Sequence, residues 1–290
     1  MGWADAYQNL RNLFDFERYE ERILSLTNSP GVKVYSIGKS HNGRNLWMIE
    51  IPPVSHEQHA ILLMGSAHPI EWHAQEIPLK IAEDFIQKKP PLRYRVYILP
   101  IFNPDGFAYM KVIPVFYASN RKNRYFPPEE KRSSLYTSGV DLNRNFSYQW
   151  QKTSDDPTHP YYSGSQPLSE PETKALKNFV ESHHLSLVIS FHSPGKTVQY
   201  PWGYTKTPLN DKRLISLARS IASTIGNGYR AVQDSANYLK PGCEIDWFYG
   251  EYKIPALRIE VSDKLIDRFL SDYPAIFSAI ETIVTGKLSW

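Results

Sequence analysis

The chain of 290 residues contains one cysteine, Cys243. A lone thiol excludes an intrachain disulfide, so the fold must rest on its hydrophobic core. An excess of charge of one sign is also lacking, because 33 basic and 30 acidic residues leave a formal net charge of +3. The densest basic run, "RKNR" at 121–124, has no aromatic platform beside it. We therefore expect no nucleic-acid partner.

Long apolar runs are missing as well. No stretch of 18 apolar residues occurs, so we expect neither a membrane-spanning helix nor a membrane partner. The start, "MGWADAYQNLRNLFDFERYEERIL", lacks the basic beginning and uninterrupted apolar centre of a signal peptide. This favours a cytoplasmic location and leaves the mature form of a secreted enzyme open. Nothing in the sequence indicates an oligomeric state.

What is present is the composition of a globular protein, with 41% hydrophobic and 22% charged residues. Strand-like segments alternate with helical patterns, which is typical of a mixed or parallel sheet covered by helices. We predict one α/β domain over residues 1–290, with a mixed, mostly parallel twisted sheet and helices on both faces. The predicted strands are "VKVYSIG", "NLWMIEI", "HAILLMGS", "RYRVYILPIF", "SLVISFHS", "TVQYPW" and "ALRIEV". The predicted helices cover 15–26, a pattern ending at Ile86, 167–183, 209–226 and 266–284.

Three local motifs predict where segments turn or begin. Asn42–Gly43, between the first two strands, is a strong hairpin signal. Ser169 and Glu172 have the spacing of a capping box at the start of a helix. "NPDGF" at 103–107 predicts a tight turn after a strand.

Polar residues follow three of the predicted strands. His68 and Glu71 come after "AILLMGSA", His192 follows "SLVISF", and Glu260 follows "ALRI". Sites in open α/β sheets gather at the carboxyl ends of strands. Two histidines and a carboxylate, with one position left open, form the ligand set of a hydrolytic zinc site. One helical turn would place His68 and Glu71 on the same face, since they are three residues apart.

The alternative is a set of ordinary polar residues. A His-x-x-Glu pair occurs by chance in many chains, and His73 with Glu76 forms a second one here, which we interpret as structural or solvent-facing. A lone His192 would more often be a hydrogen-bonded structural histidine. The loop "GVDLNRNF" at 139–146 favours a site, because its polar groups are costly to bury without partners. Within it, Arg144 offers a planar fork that fits a carboxylate.

A series of blocks resembles the zinc metallocarboxypeptidases of the carboxypeptidase A and T type, the funnelins. They are "HPIEW", "NPDGF", "RKNR", "GVDLNRNF", "YSGSQPLSEPET", "SFHS", "YPWGY", "EIDW" and "LRIEV". The blocks follow the family's order and cover roughly residues 30–285. Each is weak alone, and together they are highly specific. The missing disulfides, and the lack of a pro-domain before the match, point to a bacterial-type enzyme.

The resemblance implies one Zn²⁺ per chain, ligated by His68, Glu71 and His192. Asp141 would be the carboxylate that orients His68, a partner that ligating histidines usually have.

The resemblance also implies the catalytic groups. Glu260 would be the general base that takes a proton from the hydrolytic water. Arg121 would polarise the scissile carbonyl and hold the developing oxyanion, with Arg124 as the rival for this role.

The substrate implied by the resemblance is a peptide with a free C-terminal carboxylate. Asn143, Arg144 and Tyr238 would bind that carboxylate, and the loop of Tyr238 would close over it. An arginine that demands a free carboxylate explains why such an enzyme trims chain ends.

Arg258 and Glu260 alternate along one strand and therefore point the same way. The resemblance places Arg258 in the pocket for the leaving side chain. Ile245 lies where members that remove Lys or Arg carry an acid, so we expect no such preference. Arg258 is either an ion-pair partner of Glu260 or Glu244, or the ligand of a second substrate carboxylate. A second substrate carboxylate would belong to a C-terminal glutamate or to meso-diaminopimelate. The side chain of meso-diaminopimelate ends in an amine and a carboxylate, which Glu244 and Arg258 would match. This residue follows the γ-D-glutamyl bond of bacterial cell-wall peptides.

Three functions are compatible with these residues. The first is a zinc exopeptidase, and the second is an amidase or deacylase that acts on small N-acyl amino acids through the same site. The third is an inactive relative that only binds peptides or wall fragments. Retention of His68, Glu71, His192 and Glu260 together argues against the third.

Overall fold

The computed structural model describes residues 15–54, 59–65, 67–71, 73–110, 121–123, 138–262 and 266–288. Within these ranges an eight-stranded mixed sheet has the order β1-β2-β4-β3-β5-β8-β6-β7. Its strands are β1 (Lys33–Lys39), β2 (Asn45–Ile51), β3 (Ala60–Met64), β4 (Arg95–Leu99), β5 (Leu185–His192), β6 (Thr197–Tyr200), β7 (Arg230–Gln233) and β8 (Ala256–Glu260). The α-helices of the described residues are α1 (Phe16–Ser25), α2 (His73–Lys88), α3 (Pro104–Met110), α4 (Pro171–Ser182), α5 (Lys212–Ile225), α6 (Glu244–Tyr252) and α7 (Ile266–Val284).

The four central strands β4, β3, β5 and β8 are parallel, antiparallel pairs flank them on both sides, and the edge pair β6–β7 is parallel again. Strand β3 pairs in parallel with β4 and β5, and β5 pairs in parallel with β8. Strands β1 and β2 form an antiparallel hairpin, β2 runs antiparallel to β4, and β6 runs antiparallel to β8. This arrangement confirms the predicted mixed sheet.

Both faces of the sheet are buried. In β3, Ile61 and Leu63 belong to one hydrophobic cluster, and Leu62 belongs to another, because successive side chains of a strand point to opposite faces. Helices α2, α5 and α7 contribute to the first cluster, and α4 and α6 contribute to the second. The helices therefore cover both faces, as predicted. No helix in the described part of the chain is long and apolar enough to cross a membrane.

The start of the described chain follows its sequence signals. The side chain of Asp15 caps α1 by accepting a hydrogen bond from the backbone N–H of Arg18 at 3.2 Å. Phe16, Tyr19 and Ile23 lie on the buried face of this helix. The hairpin turn between β1 and β2 contains Gly43 with φ of +78°, a left-handed conformation that glycine adopts without steric cost.

Two local predictions are wrong. "NPDGF" begins helix α3 and is not an isolated turn, because Pro104 occupies the first helical position, where its missing N–H costs no hydrogen bond. Ser169 and Glu172 form no capping box, since α4 begins at Pro171 and its N-cap is Glu170. The Ser169 hydroxyl instead donates to the Glu170 carboxylate at 2.6 Å.

Candidate active site and metal centre

The predicted site residues meet because β3, β5 and β8 are neighbouring parallel strands. His192 ends β5 and pairs in register with Glu260, which ends β8. The chain leaving β3 reaches the same edge of the sheet with His68 and Glu71.

His68 and Glu71 lie in a turn that precedes α2, and not within the helix. The backbone N–H of Glu71 donates to the carbonyl of His68 at 3.0 Å, which closes the turn and keeps both side chains on one side. The second pair has a structural role, as predicted. His73 is buried, and the Glu76 carboxylate accepts hydrogen bonds from Arg22 at 2.9 and 3.0 Å.

Three potential metal ligands converge on one point. Nδ1 of His68 lies 2.8 Å from Oε1 of Glu71, and Nδ1 of His192 lies 2.9 Å from Oε2 of the same carboxylate. One donor atom of each residue lies within 4.8 Å of the other two. Two imidazole nitrogens and one carboxylate, facing a cavity that leaves a fourth position open, suit Zn²⁺. The residues present therefore fit the ion.

The electrostatics of the three groups also suit a cation. Burial alone would disfavour the charged forms of Glu71 and His192. The neighbouring His68 and His192 nevertheless lower the pKa of Glu71. Against the same penalty of burial, Glu71 and Glu244 raise the pKa of His192 to about 10. Ligands must be deprotonated to bind a metal, so zinc binding at these groups should release protons.

Asp141 faces the second ring nitrogen of His68, the contact that the role implied by the resemblance requires. Its Oδ1 is 3.1 Å from Nε2 of His68, on the side of the ring away from Glu71. Burial opposes ionisation of Asp141, but Arg121 and His68 hold the pKa of its carboxyl well below the usual range. The carboxylate is therefore ionised and can orient the imidazole.

Arg121 lines the cavity, and its guanidinium is already engaged. Nε donates to Oδ2 of Asp141 at 2.8 Å, and Nη2 lies 2.7 Å from Nε2 of His68. The guanidinium carbon also lies 4.8 Å from the centre of the Tyr161 ring. Arg124 lies outside the described residues, so the choice between the two arginines for the oxyanion stays a prediction.

Glu260 lines the same cavity as the three potential ligands and is not one of them. Burial raises the pKa of its carboxyl, and the neighbouring Glu71 raises it further. A raised pKa suits a carboxylate that must accept and return a proton near neutral pH. Gly195 makes room for it, because a Cβ at this position would lie 2.5 Å from Cβ of Glu260.

Arg144 is a buried cation without an anionic partner. It is 3% exposed, lines the cavity, and Nη1 donates to the carbonyl of Asn143 at 2.6 Å. No carboxylate of the described residues forms an ion pair with it. Asn143 and Tyr238 also line this end of the cavity. An uncompensated buried guanidinium is strongly unfavourable, so this end is built for an anion.

The comparisons agree with this geometry. The family model described as "Zinc carboxypeptidase" matches residues 22–283. This chain belongs to the zinc carboxypeptidase family. Human carboxypeptidase A6 is 28% identical over 264 residues, covering 84% of this chain and 57% of the relative. Rat mast cell carboxypeptidase A is 30% identical over 252 residues, covering 81% and 59%. The chain thus spans a little over half the length of these curated relatives.

Solved structures of the family share the fold. Bovine thrombin-activatable fibrinolysis inhibitor, bound to a tick carboxypeptidase inhibitor, has a TM-score of 0.78 and 23% identity, covering 94% of this chain and 96% of that one. The murein-tripeptide amidase MpaA from Escherichia coli O157 has a TM-score of 0.56 and 17% identity, covering 88% and 92%. At these identities the likeness is one of fold.

Arg258 also lines the cavity and is held by acids. Nε and Nη2 donate to the two oxygens of Glu244 at 2.8 and 2.9 Å, and Nη1 donates to Asp234 at 2.7 Å. Of the two interpretations of Arg258, the ion pair with Glu244 is present.

Two predicted pocket residues lie elsewhere. Neither Glu244 nor Ile245 is among the residues that line the cavity, which corrects their predicted place in its wall. Both start helix α6 and are turned inward, Glu244 towards Arg258 and Ile245 into the core beneath the sheet.

Sequence reasoning missed Lys240 in the wall of the cavity. Its ammonium donates to Oδ1 of Asp234 at 2.8 Å and also to the Asp234 carbonyl, and it lies 4.5 Å from the centre of the Tyr238 ring. Tyr238 itself is 46% exposed at the mouth of the cavity, 6.5 Å between ring centres from Tyr161. The sequence signal that could have identified Lys240 is its position two residues after Tyr238, a predicted substrate-binding residue.

Proposed function

We propose that this chain is a zinc-dependent carboxypeptidase that hydrolyses the last amide bond of a peptide with a free C-terminal carboxylate. One observation carries the proposal: a metal-ligand cluster, the half-buried carboxylate of Glu260 and a buried guanidinium that forms no ion pair among the described residues face a single cavity of about 260 Å³. That volume suits one amino-acid residue and lies below the roughly 300–1,000 Å³ of pockets for larger ligands. The site is therefore suited to the end of a chain.

The residues divide the work by position. Arg144 and Asn143 bind the terminal carboxylate, and Tyr238 at the mouth closes over the bound residue. Zinc, when bound by His68, Glu71 and His192, supplies Lewis-acid polarisation and acidifies water.

Proton transfer falls to Glu260. Its carboxylate takes a proton from the attacking water and passes it to the nitrogen of the departing amine. Its raised pKa allows it to hold that proton in between.

We further propose that the leaving residue is polar and carries a second carboxylate, as C-terminal glutamate and meso-diaminopimelate do. This rests on the pocket wall, in which no aliphatic side chain larger than proline lines the described cavity. Thr197, Gln199, Asn237, Lys240 and Arg258 supply polar groups there instead.

The charges of this wall are nearly balanced. Glu244 and Asp234 neutralise Arg258 and Lys240, and each cation keeps one N–H that these hydrogen bonds to the described residues do not use. A balanced polar wall suits a side chain that ends in both an amine and a carboxylate better than an apolar one.

Product analysis tests the proposal. The zinc-loaded protein is incubated with a mixed pool of peptides and cell-wall muropeptides, and the products are identified by mass spectrometry. We expect single C-terminal residues to be released, with glutamate- or diaminopimelate-ended chains consumed first and C-terminally amidated chains left intact. Chelation should stop the release, and added zinc should restore it. Hydrolysis of N-acyl amino acids without any release from peptides would support an amidase instead.

A further inference from the structure

The two histidines of the metal centre differ in what faces their second nitrogen. Nε2 of His68 faces Asp141. Nε2 of His192 is buried and, among the described residues, has no partner with regular hydrogen-bond geometry. The acidic group nearest to it is Oε1 of Glu244, at 3.3 Å.

Glu244 is held in place from several sides. It is 1% exposed, and Arg258 donates to both of its oxygens at 2.8 and 2.9 Å. The hydroxyl of Ser190 donates to Oε1 at 3.0 Å, and the backbone N–H of Glu244 donates to Oδ1 of Asn143 at 3.0 Å. A carboxylate that is fixed by these hydrogen bonds cannot shift when the imidazole rotates. It therefore sets the orientation of the His192 ring.

A histidine that binds a metal through one nitrogen carries its proton on the other and donates it to an acceptor. Nδ1 of His192 faces Glu71 and the metal position, so Nε2 is the protonated nitrogen of the loaded site. The acceptor in reach is Glu244.

We propose that Glu244 is the positioning residue of His192, fixing its ring and tautomer for the metal as Asp141 does for His68. It acts through His192 and touches neither metal nor substrate. The carboxylate of Glu244 also holds Arg258. It therefore fixes both the wall of the leaving-residue pocket and one metal ligand. The inference rests on the proposed zinc function.

The test is the dissociation constant for zinc, measured by competition with a chelator. Glu244→Gln should weaken zinc binding by about 10- to 100-fold, the usual effect of losing such a partner. Asp234→Asn is the matched control, since Asp234 binds the same Arg258 at 2.7 Å but has no contact with His192. The dissociation constant of Asp234→Asn for zinc should stay within about twofold of the wild-type value.

The visible spectrum of the Co²⁺-substituted protein should change with Glu244→Gln and not with Asp234→Asn.

Unchanged zinc affinity in Glu244→Gln, or an equal loss in both variants, would overturn the inference and leave Glu244 as a counter-ion of Arg258. If Glu244→Gln does not fold, the double variant Glu244→Leu/Arg258→Met removes both charges together. It should show the same loss of zinc affinity, and wild-type affinity there would also overturn the inference. Failure of the wild-type protein itself to bind zinc would remove the proposed function and this inference with it.

Discussion

At the scale of single residues, the charges around the cavity are matched except at one place. Asp141 pairs with Arg121, and Glu244 pairs with Arg258. Arg144 forms no ion pair among the described residues and contacts a backbone carbonyl and two tyrosine rings instead. Burying this guanidinium without an anion costs free energy, which the rest of the fold must offset. A bound substrate carboxylate would reduce that cost.

Arg144→Ala should therefore lower kcat/KM for every peptide with a free C-terminal carboxylate. The loss should correspond to about 2–5 kcal/mol, as for a charged partner removed from a buried pair. Steady-state kinetics on acid and amidated forms of one peptide measures this, with the exposed Arg219→Ala as the control. Equal losses on the acid and amidated forms would show that Arg144 does not read the carboxylate.

Glu260→Gln should keep zinc and lower the turnover rate by about 10²-fold or more, since it removes the proton acceptor and no ligand. Zinc content and kcat are measured on the same preparation, beside the exposed Glu21→Gln as the control. A variant that loses zinc while keeping full activity per metal would make Glu260 a ligand.

Lys240→Met should change selectivity and not activity in general. Its remaining N–H is available to a substrate carboxylate, and a hydrogen bond to a charged group contributes about 1.5–3 kcal/mol. We expect kcat/KM to fall by that amount for glutamate-ended peptides and to hold or rise for leucine-ended ones. A uniform change for both peptide classes would show that Lys240 serves only as the partner of Asp234.

The residues that the sequence predicted best are those at strand ends. His192 and Glu260 end neighbouring strands, and parallel pairing is enough to bring them together. Glu244 was placed wrongly because its partners lie far along the chain, and Lys240 was missed although Asp234 and Tyr238 lie only a few residues before it. Glu244 contacts Ser190 and Arg258, and no local spacing reports such contacts.

At the scale of elements, helix α4 contains a buried carboxyl group whose ionisation should destabilise the folded protein. Glu172 in its first turn is fully buried, and its Oε1 has no hydrogen-bond partner within the described part of the chain. Burial raises the pKa of its carboxyl from 4.5 to about 8. The folded protein thus keeps a proton that the unfolded chain loses.

Between about pH 4.5 and 8 the unfolded state binds fewer protons at this residue, so the free energy of unfolding should fall as pH rises. The slope should approach about 1.4 kcal/mol per pH unit. Glu172→Gln should remove its contribution to the slope, measured by urea unfolding at several pH values, while the contribution of Asp246, whose pKa burial raises to about 7, should remain. Glu181→Gln, exposed on the same helix, should keep the wild-type slope, and a wild-type slope in Glu172→Gln would refute the assignment.

The elements that sequence reasoning recovered have a clear period. The β1–β2 hairpin, the buried strands and the amphipathic helices α1 and α5 follow alternation or helical spacing. Helix α6 was missed because most of its residues are buried, which leaves no polar face to reveal its period. Strand β7 was missed because it is short and lies at the edge of the sheet.

At the scale of the whole molecule, the site is a consequence of strand order. Adjacent parallel strands β3, β5 and β8 deliver three ligands and a base to one edge, although more than 120 residues separate His68 from His192 in the chain. Alternating helices and strands predict a parallel sheet, but they do not predict which strands are neighbours. The structure supplies that order, and it confirms the predicted mixed sheet with helices on both faces.

A zinc titration of the metal-free protein, followed by the rate at which the terminal residue leaves a peptide, tests the central claim most directly. Activity should rise linearly with zinc and stop at one equivalent per chain, because His68, Glu71 and His192 form one site. His192→Ala, which lacks one ligand, should neither hold the zinc nor release the residue. Full activity after complete chelation, or full zinc occupancy in His192→Ala, would contradict the account.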